Sequence, residues 1–331
     1  MRMVSFFSVL VIIVLCVRPV QAQINKDYSF SLCPQFGLVS GYIEEIVYPT
    51  NTKAELLSQL LWEMKPVYYY GFLMDFSPVR QMEKWGFFSG LSMKFGIPGL
   101  SGVMEDRDWM SVENTGLTHF STHDNITKEL FLLDFSTGVS FPFFNTLIVK
   151  TFVNISYMLF RFSGENGYKI YARLVDRYVP GKYYPINDAP DEELLSGKMI
   201  SYRQEWFHAA PGVSLGFSYK KYFLTEISFM ASPLVFCVGL DEHKERKIQF
   251  RDFMRGGLML EPGFRFSFAA TRMLGISWEI SWRYINGTKG DSYSREAFSE
   301  PIGSGIDILS ANKAGAGLSV LNTALLFKVR L

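Results

Sequence analysis

The segment Met104-Glu-Asp-Arg-Asp-Trp-Met110 holds two carboxylates, Asp106 and Asp108, two residues apart at the end of a long alternating run. Side chains of an extended chain alternate between faces, so the two acids share one. Counting back by twos from Asp108 puts Met104, Gly102, Leu100, Pro98, Gly96, Lys94, Ser92 and Gly90 on that face, against Ile97, Phe95, Met93, Leu91 and Phe87 on the other. A second pair, Asp241 and His243, has the same spacing. A carboxylate beside an imidazole orients the ring and supports its protonated form, which readies it to take a proton. Across a groove, Asp106 could hold a water against that imidazole, with Asp108 assisting by position or charge. The chemistry would be attack of an activated water on a peptide carbonyl. The plain alternative is that these acids are solvated loop residues, since one Asp-x-Asp decides nothing by itself.

Other candidates carry less. One His with scattered Asp residues has none of the paired spacings of a zinc site, so no metal or other cofactor is expected. Ser121-Thr-His123 offers a hydroxyl and an imidazole, but loop neighbours do not define a triad, and a supporting hydrogen bond is the expected role. Asn125-Ile-Thr127 and Asn154-Ile-Ser156 match the glycosylation sequon, which a bacterial-type barrel would not use. Cys33 and Cys237 leave open one disulfide or two thiols in strands.

The elements that position these groups follow from composition and period. The 331 residues carry a net charge of +1, which argues against a nucleic-acid partner. Residues 1–23 open with Arg2, run through an apolar core from Val4 to Val17 and offer Val20-Gln-Ala22 for cleavage, so 1–22 reads as a signal peptide. Its apolar run is shorter than the ~20 residues a spanning helix needs, and no such run follows. Apolar alternation recurs instead. Phe131, Leu133, Phe135, Val139 and Phe141 oppose Lys128, Asp134, Ser136, Gly138 and Ser140, and Leu274, Ile276, Trp278, Ile280, Trp282 and Tyr284 oppose Gly275, Ser277, Glu279, Ser281 and Arg283.

Ten such strands are expected, with polar loops over 111–127, 163–201 and 286–315 and a tight turn at Lys220-Lys221. In the seventh, Phe223, Ile227 and Phe229 share parity with Asp241 and His243, so a bulge near Pro233 must reset the alternation. The fold class is therefore all-β: a ten-stranded antiparallel transmembrane outer-membrane β-barrel with long extracellular loops, residues 23–331 forming one domain. Strands three and seven run the same way, so Asp106, Asp108, Asp241 and His243 share the outer rim.

Together these motifs resemble the omptin family of outer-membrane proteases. Met104 to Met110, Ser121 to His123 and Asp241 to His243 occur in family order, and Ser40-Gly41 and Ser58-Gln-Leu60 before Trp62 extend the likeness over nearly all of the mature chain. The resemblance implies that Asp106, Asp108, Asp241 and His243 are catalytic, with His243 and Asp106 activating water and peptides or proteins at the cell surface as substrates. It implies a pocket for a basic side chain with two acids at its base. Glu45 matches the first; the second position is Gly239, and a neighbouring family acid is replaced by His119. Losing a close carboxylate would remove about 1 to 3 kcal/mol of selectivity for a cation. The family's lipopolysaccharide-binding run best matches Phe152-Val-Asn-Ile-Ser156, with Glu205 in place of an Arg. With no basic group there, activity independent of that lipid is expected. Outer-membrane lipid and peptide substrates are the expected partners, and a monomer the expected state. The rival readings are a non-catalytic barrel acting as an adhesin or surface-binding protein, and a pore.

Overall fold

The computed structural model describes residues 28–331 apart from 51–54, 80–81, 114, 145, 177, 179–180, 189–191, 221, 244–246 and 297–307. The signal peptide read over 1–22 lies outside the described residues. A sheet in hydrocarbon must satisfy every backbone amide internally, which requires closure. Here β1 (Tyr28–Tyr48) pairs antiparallel with β13 (Ile308–Arg330), from Ser31 opposite Arg330 to Tyr48 opposite Lys313, so the first and last strands seal the ring. Between them run β2 (Ser58–Pro78), β3 (Gly86–Gly96), β4 (Gly99–Asp108), β5 (His119–Phe143), β6 (Leu147–Tyr171), β7 (Glu193–Tyr219), β8 (Phe223–Ser232), β9 (Val235–His243), β10 (Ile248–Arg255), β11 (Leu258–Ala269) and β12 (Leu274–Glu296). Three passes are broken in two: β3 and β4 both pair with β2 and β5, β8 and β9 both pair with β7, and β10 and β11 both pair with β12. The ring thus has the ten passes read from the sequence.

Each break resets which residues face inward. Lys94 is buried inside, but Leu100 is 68% exposed and the next residue, Ser101, 2% exposed; Met104 is inside again. The alternation therefore slips at Ile97-Pro98 and slips back at a bulge between Leu100 and Gly102, so unbroken counting is right for Asp106 and Asp108 and wrong for Leu100. Pro233 does the same between Ser232 and Val235, both buried, and delivers Asp241 to the interior as expected. Similar offsets lie at Lys65-Pro66, between buried Met64 and Val67, and at Gly256-Gly257, between buried Met254 and Met259.

The strands reach further than their apolar alternation. The expected loop 111–127 is strand from His119 on; the expected loop 163–201 is strand up to Tyr171 and again from Glu193; the expected loop 286–315 is strand up to Glu296 and from Ile308. The cause is solvent. Above the membrane both faces of a strand can be polar, so backbone pairing continues where the period-two signal stops. Outward Phe135, Val153, Leu215, Phe217, Ile227, Phe266 and Phe327 mark the lipid-facing band, and the outward ion pairs Lys65–Glu63, Lys128–Glu165, Arg161–Glu129 and Arg203–Glu205 form a collar above it. The membrane-spanning segments are those below this collar.

The interior is layered. Below the collar, Lys150 pairs with Glu226, Lys328 with Asp75, Arg265 with Glu279, and Arg283 with both Asp134 and Glu261, around a cavity of about 220 Å³. Above them lies an aromatic floor, with Trp62 stacked between Phe162 and Tyr202 at ring separations of 5.6 Å each, beside buried Phe160, Trp206, Met64 and Met104. Gln204 bridges this layer: its Nε2 donates to the Tyr202 hydroxyl (2.8 Å) and across the barrel to the Glu44 carbonyl (3.2 Å), while Trp206 Nε1 donates to its Oε1 (2.7 Å). Asp106, Asp108 and Glu45 lie above the floor, and Asp241 is level with Tyr202. Cys33 and Cys237 are both buried free thiols, which resolves the open disulfide. Asn125 and Asn154 are buried, Asn125 Nδ2 donating to the Glu63 carbonyl (2.7 Å) and Asn154 Nδ2 to Ser136 Oγ (3.0 Å).

Gly102 adopts φ +142°, and a Cβ there would stand 3.0 Å from the Glu63 carbonyl oxygen. Gly102→Val is expected to cost about 1 to 3 kcal/mol and to misdirect Asp106 and Asp108. A lowered thermal midpoint in detergent, with the heat-sensitive gel mobility of a closed barrel retained below it, is the result to look for.

Candidate active site

The β4 side brings Asp106 and Asp108 onto the interior face. Asp106 lies opposite Leu60 of β2 and Ser121 of β5, and its Oδ1 accepts from Ser58 Oγ at 3.5 Å. Asp108, 5% exposed, lies opposite Ser58 and His119. Its backbone carbonyl accepts from both the amide and the hydroxyl of Thr118 at 2.9 Å, which ties the end of β4 to the start of β5. His119 packs edge-on against Tyr171 and Tyr183 at 4.6 and 5.1 Å. His123 Nδ1 is 2.7 Å from the Asn166 carbonyl and so donates to it, which leaves Nε2 to accept from Ser121 Oγ at 3.1 Å. Ser121 is thus engaged with its own strand neighbour.

The β9 side brings Asp241 between Tyr202 of β7 and Phe250 of β10. Asp241 Oδ2 is 2.5 Å from His243 Nε2, and the imidazole lies edge-on to Phe250 at 5.8 Å. The Asp241 side chain is 3% exposed and that of His243 17%, so the pair is a buried acid under a ring that reaches the cleft. With Nε2–H donating to Asp241, Nδ1 is the basic nitrogen.

Glu45 of β1 sits where the halves meet. It is 3% exposed, and its carboxyl is held well above the usual carboxylate range by burial first, then by the charges of Asp241, Asp252 and Asp106. Acids from β4, β9 and β10 all act on it, which puts the two expected half-sites around one centre. Asp252 was not among the expected residues. It lies on β10 directly opposite Gly239, and a Cβ at Gly239 would stand 3.4 Å from its Oδ2. Burial pushes the Asp252 carboxyl up to about 7, opposed by a hydrogen bond from Ser292 and reinforced by Asp241. Glu45 Oε2, Asp241 Oδ1 and Asp252 Oδ1 are buried without hydrogen-bond partners.

This geometry can be set beside known proteins. The sequence model of the Omptin family matches residues 26–328. The chain belongs to the omptin family. Among solved structures, the outer membrane protease OmpT from Escherichia coli superposes with a TM-score of 0.74 at 17% identity, covering 92% of this chain and 97% of that one. The translocator domain of the autotransporter NalP from Neisseria meningitidis matches at 7% identity and a TM-score of 0.38, covering 99% and 98%, and carries no weight here. No curated protein sequence matches the chain. As an omptin, this protein is an outer-membrane β-barrel.

The structure also locates the positions matched to the family's lipid-binding run. Asn154 and Ser156 are buried inside the barrel, and only Val153 and Ile155 of that run are exposed to lipid. Basic groups do stand on the outward face higher up: Arg161 of β6 and Arg203 of β7 are register partners, ion-paired to Glu129 (3.6 Å) and Glu205 (2.8 Å). A sequence comparison fixed on 152–156 misses them, because register between β6 and β7 is not written in either strand alone.

Missing Asp252 has a similar origin. If the hairpin after His243 turns tightly, residues 239 and 252 must face each other, but turn length is not readable from the sequence. Because the Asp252 carboxyl is raised above its ordinary value of 3.8, it stabilises the fold least at high pH: its contribution is full below about pH 4 and is lost as pH rises through about 7. Asp252→Asn is expected to raise the thermal midpoint in detergent at pH 8 relative to the parent and to leave it nearly unchanged at pH 4. A midpoint difference independent of pH would contradict this.

Proposed function

We propose that this omptin is an endopeptidase of the outer membrane that cuts exposed peptides and proteins by direct attack of water. The observation that carries the reading is the 2.5 Å contact between Asp241 and His243, with Asp106 and Asp108 on the same inner face of the barrel. Nδ1 of His243 takes a proton from a water held against Asp106. The water oxygen bonds to the peptide carbonyl carbon, and the resulting imidazolium is stabilised by the Asp241 carboxylate. The same proton then passes to the leaving amide nitrogen, the C–N bond breaks, and His243 returns to its neutral form. Asp108 holds the end of β4 in place and adds negative charge beside the attacking water. No covalent intermediate or cofactor is needed.

The rigid placement of these groups on paired strands supports this use, since catalysis of this kind depends on geometry fixed before substrate arrives. The collar that meets the lipid headgroups pairs each outward cation named above with a carboxylate, which supports activity without lipopolysaccharide.

Cleavage of a mixed peptide library by the refolded barrel, read by mass spectrometry, tests the reading. His243→Ala and Asp106→Ala are expected to lower kcat/KM by about three orders of magnitude or more while keeping the folded gel mobility. A folded parent that cuts nothing over pH 5 to 8 would turn the search toward binding partners. Added lipopolysaccharide is expected to change kcat/KM by less than about threefold, and strong stimulation would overturn lipid independence.

A further inference from the structure

Gly239 leaves the expected second acid of the substrate pocket vacant in the sequence. In the folded chain an acid stands beside that position, one strand over. Asp252 of β10 is the cross-strand partner of Gly239, 3% exposed, with its carboxylate against the space a side chain at 239 would fill. Because residue 239 is a glycine, nothing of its own lies over that carboxylate.

The charge balance here is one-sided. The groups acting electrostatically on Glu45 are Asp241, Asp252 and Asp106, and on Asp252 it is Asp241, so no cation of the described residues offsets either. The partnerless oxygens of Glu45, Asp241 and Asp252 belong to side chains more than nine-tenths buried. Buried carboxylate oxygens without a donor are costly and call for an occupant that brings N–H groups and positive charge. Among the described residues the acids do not form a cluster shaped to hold a metal ion. One step further down the barrel the register partners Trp206, Cys237 and Met254 are all buried, so the occupant must enter from the cleft beside His243.

Resting on the protease reading above, we propose that Asp252 is a specificity-determining residue: with Glu45 it receives the cationic side chain of the substrate residue next to the bond that is cut. The countercharge missing at Gly239 has moved to the neighbouring strand, and preference for a basic residue is retained. Entry of an ammonium or guanidinium supplies donors to Glu45 Oε2 and Asp252 Oδ1, which have none. It also favours their ionised forms, so binding releases protons.

Two fluorogenic peptides differing only in lysine against norleucine at that residue decide the matter, because norleucine keeps lysine's four-carbon chain and lacks only the terminal ammonium. The parent is expected to favour lysine over norleucine by about a hundredfold in kcat/KM, and Asp252→Asn to lower that ratio by about tenfold or more. Gly239→Asp placed in the Asp252→Asn barrel is expected to restore the preference, which separates a lost charge from a damaged fold. An unchanged ratio in Asp252→Asn, or a parent indifferent to charge, overturns the assignment. Binding of the same peptides to the His243→Ala barrel, followed by fluorescence anisotropy, keeps the two readings distinct. Lysine selectivity that depends on Asp252 upholds the pocket even if no barrel cleaves, in which case only the protease reading falls. Binding without such selectivity overturns the pocket.

Discussion

The closing of β1 on β13 is the constraint from which the rest of the molecule follows. An open edge in hydrocarbon would strand a row of backbone donors and acceptors, so the sheet must meet itself. Once it does, every residue faces either lipid or lumen, and a slip of one residue would exchange the two. Sixteen residues of β1 find register partners on β13, which fixes the faces of both.

Against that strict alternation, the local offsets acquire meaning. Pro66, Pro98 and Pro233 and the pair Gly256-Gly257 mark four places where the inward set changes parity. Proline lacks the amide that a regular ladder would use, and glycine permits backbone that other residues resist. The offsets separate a membrane half, whose faces are set by lipid, from an upper half whose inward faces are set by the site. Without the reset at Pro233, Asp241 would face outward and Leu240 would line the cleft.

The interior is divided accordingly. Below, opposite charges neutralise one another pair by pair around a polar cavity. Higher up, Glu45 and Asp252 stand beside Asp241 with no lysine or arginine of the described residues acting on either, at and above the level of the stack of Phe162, Trp62 and Tyr202. The stack, with Trp206 one step below Asp252 in register, lies between the lysines and arginines of the lower half and these acids. A lysine within reach of those acids would stabilise them and leave the cleft with no electrostatic need for a substrate.

By itself the sequence determined the barrel, the number of passes, the inward direction of Asp106 and Asp108, the reset near Pro233 and the pairing of Asp241 with His243. Each rests on spacing within one strand, where period two translates directly into direction. The tertiary structure alone decided how far the strands rise beyond the bilayer, that Glu45 lies where both half-sites meet, and that Asp252 faces Gly239. It also decided that Arg161 and Arg203 stand side by side on the outer face. Those facts depend on register between strands and on polar faces that carry no hydrophobic signal. Register is fixed by turn length and by closure of the whole ring, and neither is a property of any short stretch of residues.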